Sequence, residues 1–217
     1  MVLNTDEHLL YGTQNSGSAA IEAALTLARL PFRNVDAASW AAESDLEALR
    51  EVSPLLQIPA LRWPDGSTMT ESAAILIELG LRHPDSGLLP AEPAARAQNI
   101  RGLLYIATNC YAAVGIMDYP ERWTLAEGDA ERQRLKQGTQ ARLRHLWERF
   151  ADSFPADPFL GGEQPGALDL LAAVVSRWSG ARAHLRAARP GWAGVLERID
   201  QHPALAPVFA RHWPATS

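Results

Sequence analysis

The chain has 217 residues, enough for one large domain or two small ones, with ordinary globular proportions of 47% hydrophobic and 21% charged residues. Its net charge of -5, without a run of five like charges, argues against a nucleic-acid surface. A single cysteine, Cys110, excludes an internal disulfide and a CxxC redox pair. The opening "MVLNTDEHLLYG" lacks a basic patch followed by an apolar segment, so no signal peptide is expected. No apolar stretch is read as approaching the roughly 20 residues of a membrane span. The expectation is a soluble, cytoplasmic protein with neither membrane nor nucleic acid as partner.

In chain order, His8 to Gly12 is a short apolar run closed by a glycine. From Gly17 to Leu30, Ile21, Leu25 and Ala28 recur at helical spacing, and Pro31 follows that helix. "FRNVD" alternates as a strand does, and "ESDLEALREVSP" reads as a short helix stopping before Pro54. Leu55 to Leu61 looks like a buried strand, yet Pro59 interrupts it, and proline donates nothing to a ladder. Ala60 to Trp63, the turn signal "PDG" and Ser67 to Thr70 predict a hairpin. "ESAAILIELGLR" is the helix that closes a βαβ-α-ββ-α unit. "HPDSGLLPAEP" then reads as a linker over residues 83–93. Beyond it the strand signals vanish. Residues 94–117 are helical, Leu143, Leu146, Trp147, Phe150 and Phe154 mark a second buried face, and Leu168 to Trp178 and Trp192 to Ile199 mark two more. The predicted organisation is an α/β domain over 1–82, the linker, and an all-α domain over 94–217.

This order, with a strand entered through proline and a helical second half, resembles the glutathione transferase superfamily over nearly the whole chain. The most specific part is "LLQIPAL" followed by "TESAAI", similar in content and spacing to that family's glutathione-binding signature. The resemblance implies a thioredoxin-like N-terminal domain in which the bond before Pro59 is cis and the main chain of Ile58 faces outward. There it pairs with the cysteinyl unit of an extended tripeptide, as an added strand pairs with a sheet edge. Glu71 and Ser72 fit the γ-glutamyl end. A helix N-terminus with a serine hydroxyl suits the carboxylate, and an adjacent glutamate suits the ammonium. Gln57 can turn its amide toward the same peptide. Taken alone, "TES" is an ordinary helix cap.

A cysteine thiol has a pKa of about 8.5, so catalysis needs a group that favours the thiolate. Family members place a Tyr, Ser or Cys at the start of the first helix. Here "YGTQNSGSAAIEAAL" most resembles the bacterial beta class, but Gly17 occupies the class cysteine position, which disfavours mixed-disulfide chemistry on the protein. Ser16, five residues after Tyr11, ranks first as hydroxyl donor to the sulfur, then Ser18 and Thr13, with Asn15 assisting; "SGS" before a helix is also a routine cap. Tyr11 reads as core. For the electrophile, Tyr111 falls where the beta class has a pocket-facing histidine, with Asn109 a weaker candidate and Trp123 at the pocket mouth beyond the break at Pro120. Cys110 reads as a buried small hydrophobe. Asp169 reads as structural, in a capping pattern where Gly166 replaces the usual hydroxyl residue. The histidines show no metal-ligand spacing. The expected activity is transfer of glutathione's thiol to a hydrophobic electrophile by a homodimer without metal. The rival readings are glutathione-dependent disulfide reduction or isomerisation, and a non-catalytic binding protein on the same scaffold.

Overall fold

The computed structural model describes residues 7–41 and 44–214. Residues 1–6 of the N-terminal stretch and Glu43, the first residue of the second predicted helix segment, lie outside the described residues. Strand β1 (His8–Gly12) is buried along its whole length rather than on alternate residues, because helices pack on both of its faces. Helix α1 (Ser18–Leu27) crosses over to β2 (Phe32–Asp36), which runs parallel to β1. Helix α2 (Leu46–Val52) then leads to the hairpin of β3 (Ala60–Arg62) and β4 (Thr68–Thr70). Strand β3 pairs antiparallel with β1, giving a four-stranded sheet ordered β2-β1-β3-β4. Helix α3 (Ser72–Arg82) closes this thioredoxin-like half.

The expected strand over Leu55–Leu61 is shorter than its apolar run. Leu55 is exposed, Leu56 has φ 53°, and pairing begins only at Ala60, after the cis Ile58–Pro59 bond. The missing proline N–H sets that limit. The segment over 83–93 is short and packed. A single 3-10 turn at Pro84–Ser86 precedes Leu88 and Leu89, both buried, and the Leu88 carbonyl accepts from the Ala167 amide at 2.8 Å.

The second half opens with one continuous helical run, α4 (Pro93–Tyr105), a π turn over Ile106–Tyr111, and α5 (Ala112–Asp118). An 18-residue window in Pro93–Asp118 has mean hydropathy 1.3, long and apolar enough by length and composition to cross a bilayer. That corrects the expectation that no stretch comes near this size, which overlooked how many small apolar residues separate the few charges. The apolar side of the run faces protein: Leu103, Ile106, Cys110, Ala113 and Val114 are all buried. They pack against α6 (Asp129–Ser153) and α7 (Ala167–Val175). Helices α8 (Ala181–Ala188), α9 (Pro190–Gln201) and α10 (Ala206–His212) complete the chain. Sequence periodicity did not single out α8 and α10, which at 8 and 7 residues are too short to show a repeat.

Asp169 is fully buried and accepts three backbone N–H groups, from Leu160 (2.8 Å), Gly161 (2.8 Å) and Gly166 (2.9 Å). Burial pushes its carboxyl up to about 6 despite those donors. It ties the 160–166 loop to the start of α7.

Helix α1 is buried from Ser18 through Leu25, and four alanines let the sheet and α7 approach it closely. A charge sits inside this packing. Glu22 is 4% exposed and receives His212 Nε2 at 2.9 Å, Arg211, and the Asn34 amide at 3.2 Å. Burial alone would raise the Glu22 carboxyl, but hydrogen bonds from His212 and Arg211 outweigh it and hold it below its ordinary value of 4.5. A lowered folded pKa stabilises the fold above the unfolded value, and that stability is lost as pH falls through the folded one. Glu22→Gln is therefore expected to cost about 2 kcal/mol at pH 7, because it takes the carboxylate from buried His212 and breaks the ion pair with the more exposed Arg211. The gap to wild type should narrow below pH 4.5, as read by urea unfolding at several pH values.

Candidate functional site

Register places three loops together. Tyr11 pairs with Ala60, and Ala60 pairs with Thr70, so these residues form one row across β1, β3 and β4. Just past that row lie the β1–α1 loop, the Ile58–Pro59 bond before β3, and Glu71-Ser72 after β4. The N-termini of α1 and α3 therefore open at the same end of the sheet. Each brings the positive end of a helix dipole, and α3 adds first-turn N–H groups that bond nothing among the described residues.

The groove between them carries open polar groups. Among the described residues, neither the amide nor the carbonyl of Ile58 takes part in a hydrogen bond. Such a main-chain pair is suited to an extended peptide ligand. Pro59 is buried beneath it, and the Gln57 side chain is exposed beside it. Ser72 is buried at the first turn of α3, and its hydroxyl has no partner among the described residues. Glu71 caps that helix with its carbonyl, which receives the Ile75 amide at 2.9 Å, while its carboxylate stays exposed. Sequence reasoning placed Glu71 in the first turn. The structure puts it just before, at φ 69° and ψ 110°, a backbone region that side-chain-bearing residues rarely adopt. Nothing in "MTESAAI" signals that strain.

At α1 the hydroxyls are already engaged. Ser16 Oγ donates to the Thr13 carbonyl at 2.7 Å, Ser18 Oγ lies 3.1 Å from the same carbonyl, and the two serine oxygens are 2.8 Å apart. The Ser18 amide donates back to Ser16 Oγ at 3.3 Å. Both serines are buried, so they bind the loop to the helix start. The Thr13 hydroxyl and the Gly17 amide have no partners among the described residues. Asn15, at φ 56°, accepts from the Trp213 indole N–H, which brings the C-terminal helix to this loop. The sequence could not reveal a contact across that distance.

From the helical half, the π turn ends at Tyr111, and its ring stacks on Trp178 with centroids 5.5 Å apart and planes at 24°. The hydroxyl reaches the start of α1. A β-carbon on Gly17 would lie 2.2 Å from Tyr111 Oη. Burial, with the Asp118 and Glu71 carboxylates adding, pushes the phenol up to about 12. Asn109 turns onto its own helix, donating to the Tyr105 carbonyl at 3.1 Å, and Trp123 is 59% exposed. Tyr111 thus reaches the start of α1, while Asn109 is bonded to its own helix and Trp123 stands largely in solvent. Cys110 is buried in the hydrophobic core, its thiol pushed up to about 12 by desolvation, so it is no thiolate at neutral pH. The described residues contain no cluster of potential metal ligands. A surface cavity of about 500 Å³ beside Arg29, Arg82 and His83 lies at the C-terminal ends of α1 and α3, away from this groove.

The family model for the glutathione S-transferase N-terminal domain matches residues 18–81. An uncharacterized GST-like protein, YncG of Escherichia coli (strain K12), is 30% identical over 207 residues, covering 94% of this chain and 97% of that protein. The chain belongs to the glutathione transferase superfamily. Its fold is shared with a glutathione transferase homolog from Sulfitobacter crystallised with bound glutathione, at TM-score 0.79 and 22% identity over 94% of this chain and 97% of that one. A bacterial beta-class glutathione S-transferase of Sphingomonas chungbukensis superposes at TM-score 0.74 and 21% identity, over 94% and 98% of the two chains.

The backbone of Glu71 yields a stability test. A glycine relieves the left-handed conformation, so Glu71→Gly is expected to raise stability by about 1 kcal/mol despite its looser unfolded chain. Urea denaturation measures this, and a clear loss would mean the Glu71 side chain supports the fold.

Proposed function

We propose that the protein is a glutathione transferase that joins the thiol of glutathione to a hydrophobic electrophile. The observation that carries this reading is the open main-chain pair at Ile58 set beside the unpartnered Ser72 hydroxyl and the Glu71 carboxylate. Together they offer a complementary group to each part of an extended γ-glutamyl peptide. Ile58 takes the cysteinyl amide and carbonyl. The α3 N-terminus and Ser72 take the γ-glutamyl carboxylate, Glu71 takes its ammonium, and Gln57 turns its amide toward the peptide. The sulfur then lies at the start of α1, near Thr13, Ser16 and Ser18, where the helix dipole and the Gly17 amide favour the thiolate.

The thiol proton leaves to solvent. The sulfur lone pair forms the S–C bond, and the leaving group departs with the electrons of the bond it loses. Where the electrophile is an activated alkene, its carbanion takes a proton from water instead. Tyr111 and Trp178, with Asn109 and Trp123 farther out, supply the electrophile side of the groove. Association into the homodimer that the resemblance implies belongs to the same proposal. With Gly17 at the start of α1 and Cys110 buried, the reacting sulfur is that of glutathione and not of the protein.

The test is calorimetry with glutathione. Ser72→Ala is expected to weaken binding about tenfold, the loss of one charge-assisted hydrogen bond. It should leave thermal stability almost unchanged, because that hydroxyl bonds nothing among the described residues. Equal affinity in the variant and wild type would remove the carboxylate site, and with it this reading of α3.

A further inference from the structure

We propose that Tyr111 is the catalytic residue that activates the thiol, its hydroxyl donating to the glutathione sulfur from the place a Gly17 side chain would fill. The inference rests on the glutathione reading above and names the donor that reading requires.

Space comes first. An added Cβ at Gly17 would meet Tyr111 Oη at 2.2 Å, Cζ at 3.2 Å and Cε1 at 3.3 Å. A side chain at 17 and the phenol in its present position therefore exclude each other. The residue at the head of α1 is bare, and the helical half supplies the functional group that stands over it.

Availability follows. The Ser16 and Ser18 hydroxyls share two protons among the Thr13 carbonyl and each other, at 2.7, 3.1 and 2.8 Å. Drawing either proton to a sulfur would break the network that shapes the loop. The Tyr111 hydroxyl has no hydrogen-bond partner among the described residues, and its residue is only half-buried. It breaks nothing to reach a ligand.

Placement and proton affinity agree. The ring is held against Trp178 and carried by a π turn, a local helix irregularity that recurs at functional sites. Cys110 before it and Ala113 two residues after it are buried. With the phenol pushed up to about 12, its proton stays on oxygen at pH values where a stabilised thiol has already ionised. It acts as a donor to the thiolate and not as a base. The Gly17 amide, also unpaired among the described residues, provides a second donor on the helix axis. As the S–C bond forms, the sulfur loses its charge and the hydrogen bond weakens, which lets the product leave.

The experiment is a pH titration of thiolate absorbance on the glutathione complex, with affinity measured in parallel. Tyr111→Phe should bind glutathione within about threefold of wild type. Its bound thiol should titrate about one unit higher, and turnover of a chlorodinitrobenzene probe at pH 7 should fall about tenfold with little change in KM for glutathione. Gly17→Ala suits the right-handed backbone at that position and displaces the hydroxyl, so it should reproduce both changes. The double variant should be no worse than either single one. Thr13→Ala is the comparator and should leave the titration in place. A bound-thiol pKa unmoved in Tyr111→Phe, or moved by Thr13→Ala in its stead, overturns the inference while leaving the function standing. Failure of the wild-type protein to bind glutathione overturns the function itself, and this assignment with it.

Discussion

Helix α1 has no free face. From Ser18 to Leu25 every residue is buried, between the sheet on one side and α7 and α10 on the other. A helix covered all round is set in place by packing and not by an amphipathic stripe. Its alanines permit that closeness, since larger side chains would push the layers apart. The price of such enclosure is the Glu22 carboxylate, taken from water and compensated by Arg211, His212 and Asn34. Those contacts bind the last helix to the first, so the chain's far end fixes the orientation of α1. Where α1 points, its N-terminus points, and that N-terminus is one wall of the groove.

The other walls depend on the sheet. One row of paired residues, Tyr11, Ala60 and Thr70, determines that the three loops leave at a common edge. The loops are then shaped to leave polar groups unused. The proline before β3 ends the ladder early and leaves Ile58 open. Glu71 is held in a backbone region costing of order 1–3 kcal/mol, which the surrounding hairpin and helix sustain. Asp169, by contrast, is buried with its carboxylate met by three backbone donors. Open donors and acceptors collected in one place are better suited to a ligand than to stability.

Charge logic separates the hydroxyls near α1 in the same way. A thiolate needs donors whose own protons stay in place. The two serines have such protons, but they are committed to the Thr13 carbonyl, and both side chains are buried. The phenol at Tyr111 is uncommitted, and burial strengthens its hold on its proton. Bare Gly17 and the Tyr111 hydroxyl beside it are two halves of one fit, drawn from opposite halves of the chain. The same desolvation that keeps the phenol protonated makes Cys110 inert, although the two residues are neighbours in sequence.

The amino-acid order alone carried the strand and helix succession of the first half, because β-hairpin punctuation and helical spacing are local signals. It also carried the residues proposed for the groove, since "LLQIPAL" and "TESAAI" hold their chemistry within a few positions. Short helices such as α8 and α10 escaped, having too few turns to display a period. The membrane-sized hydropathy of Pro93–Asp118 escaped as well, although the stretch reads as helical, because small apolar residues carry it between the few charges. Choosing between Ser16, Ser18, Thr13 and Tyr111 was beyond any local reading. Which hydroxyl is engaged depends on a carbonyl three and five residues back, and which phenol reaches Gly17 depends on how α4 and its π turn pack against the first helix. Local pattern specified the parts of the site; only long-range packing decided which of their protons were free.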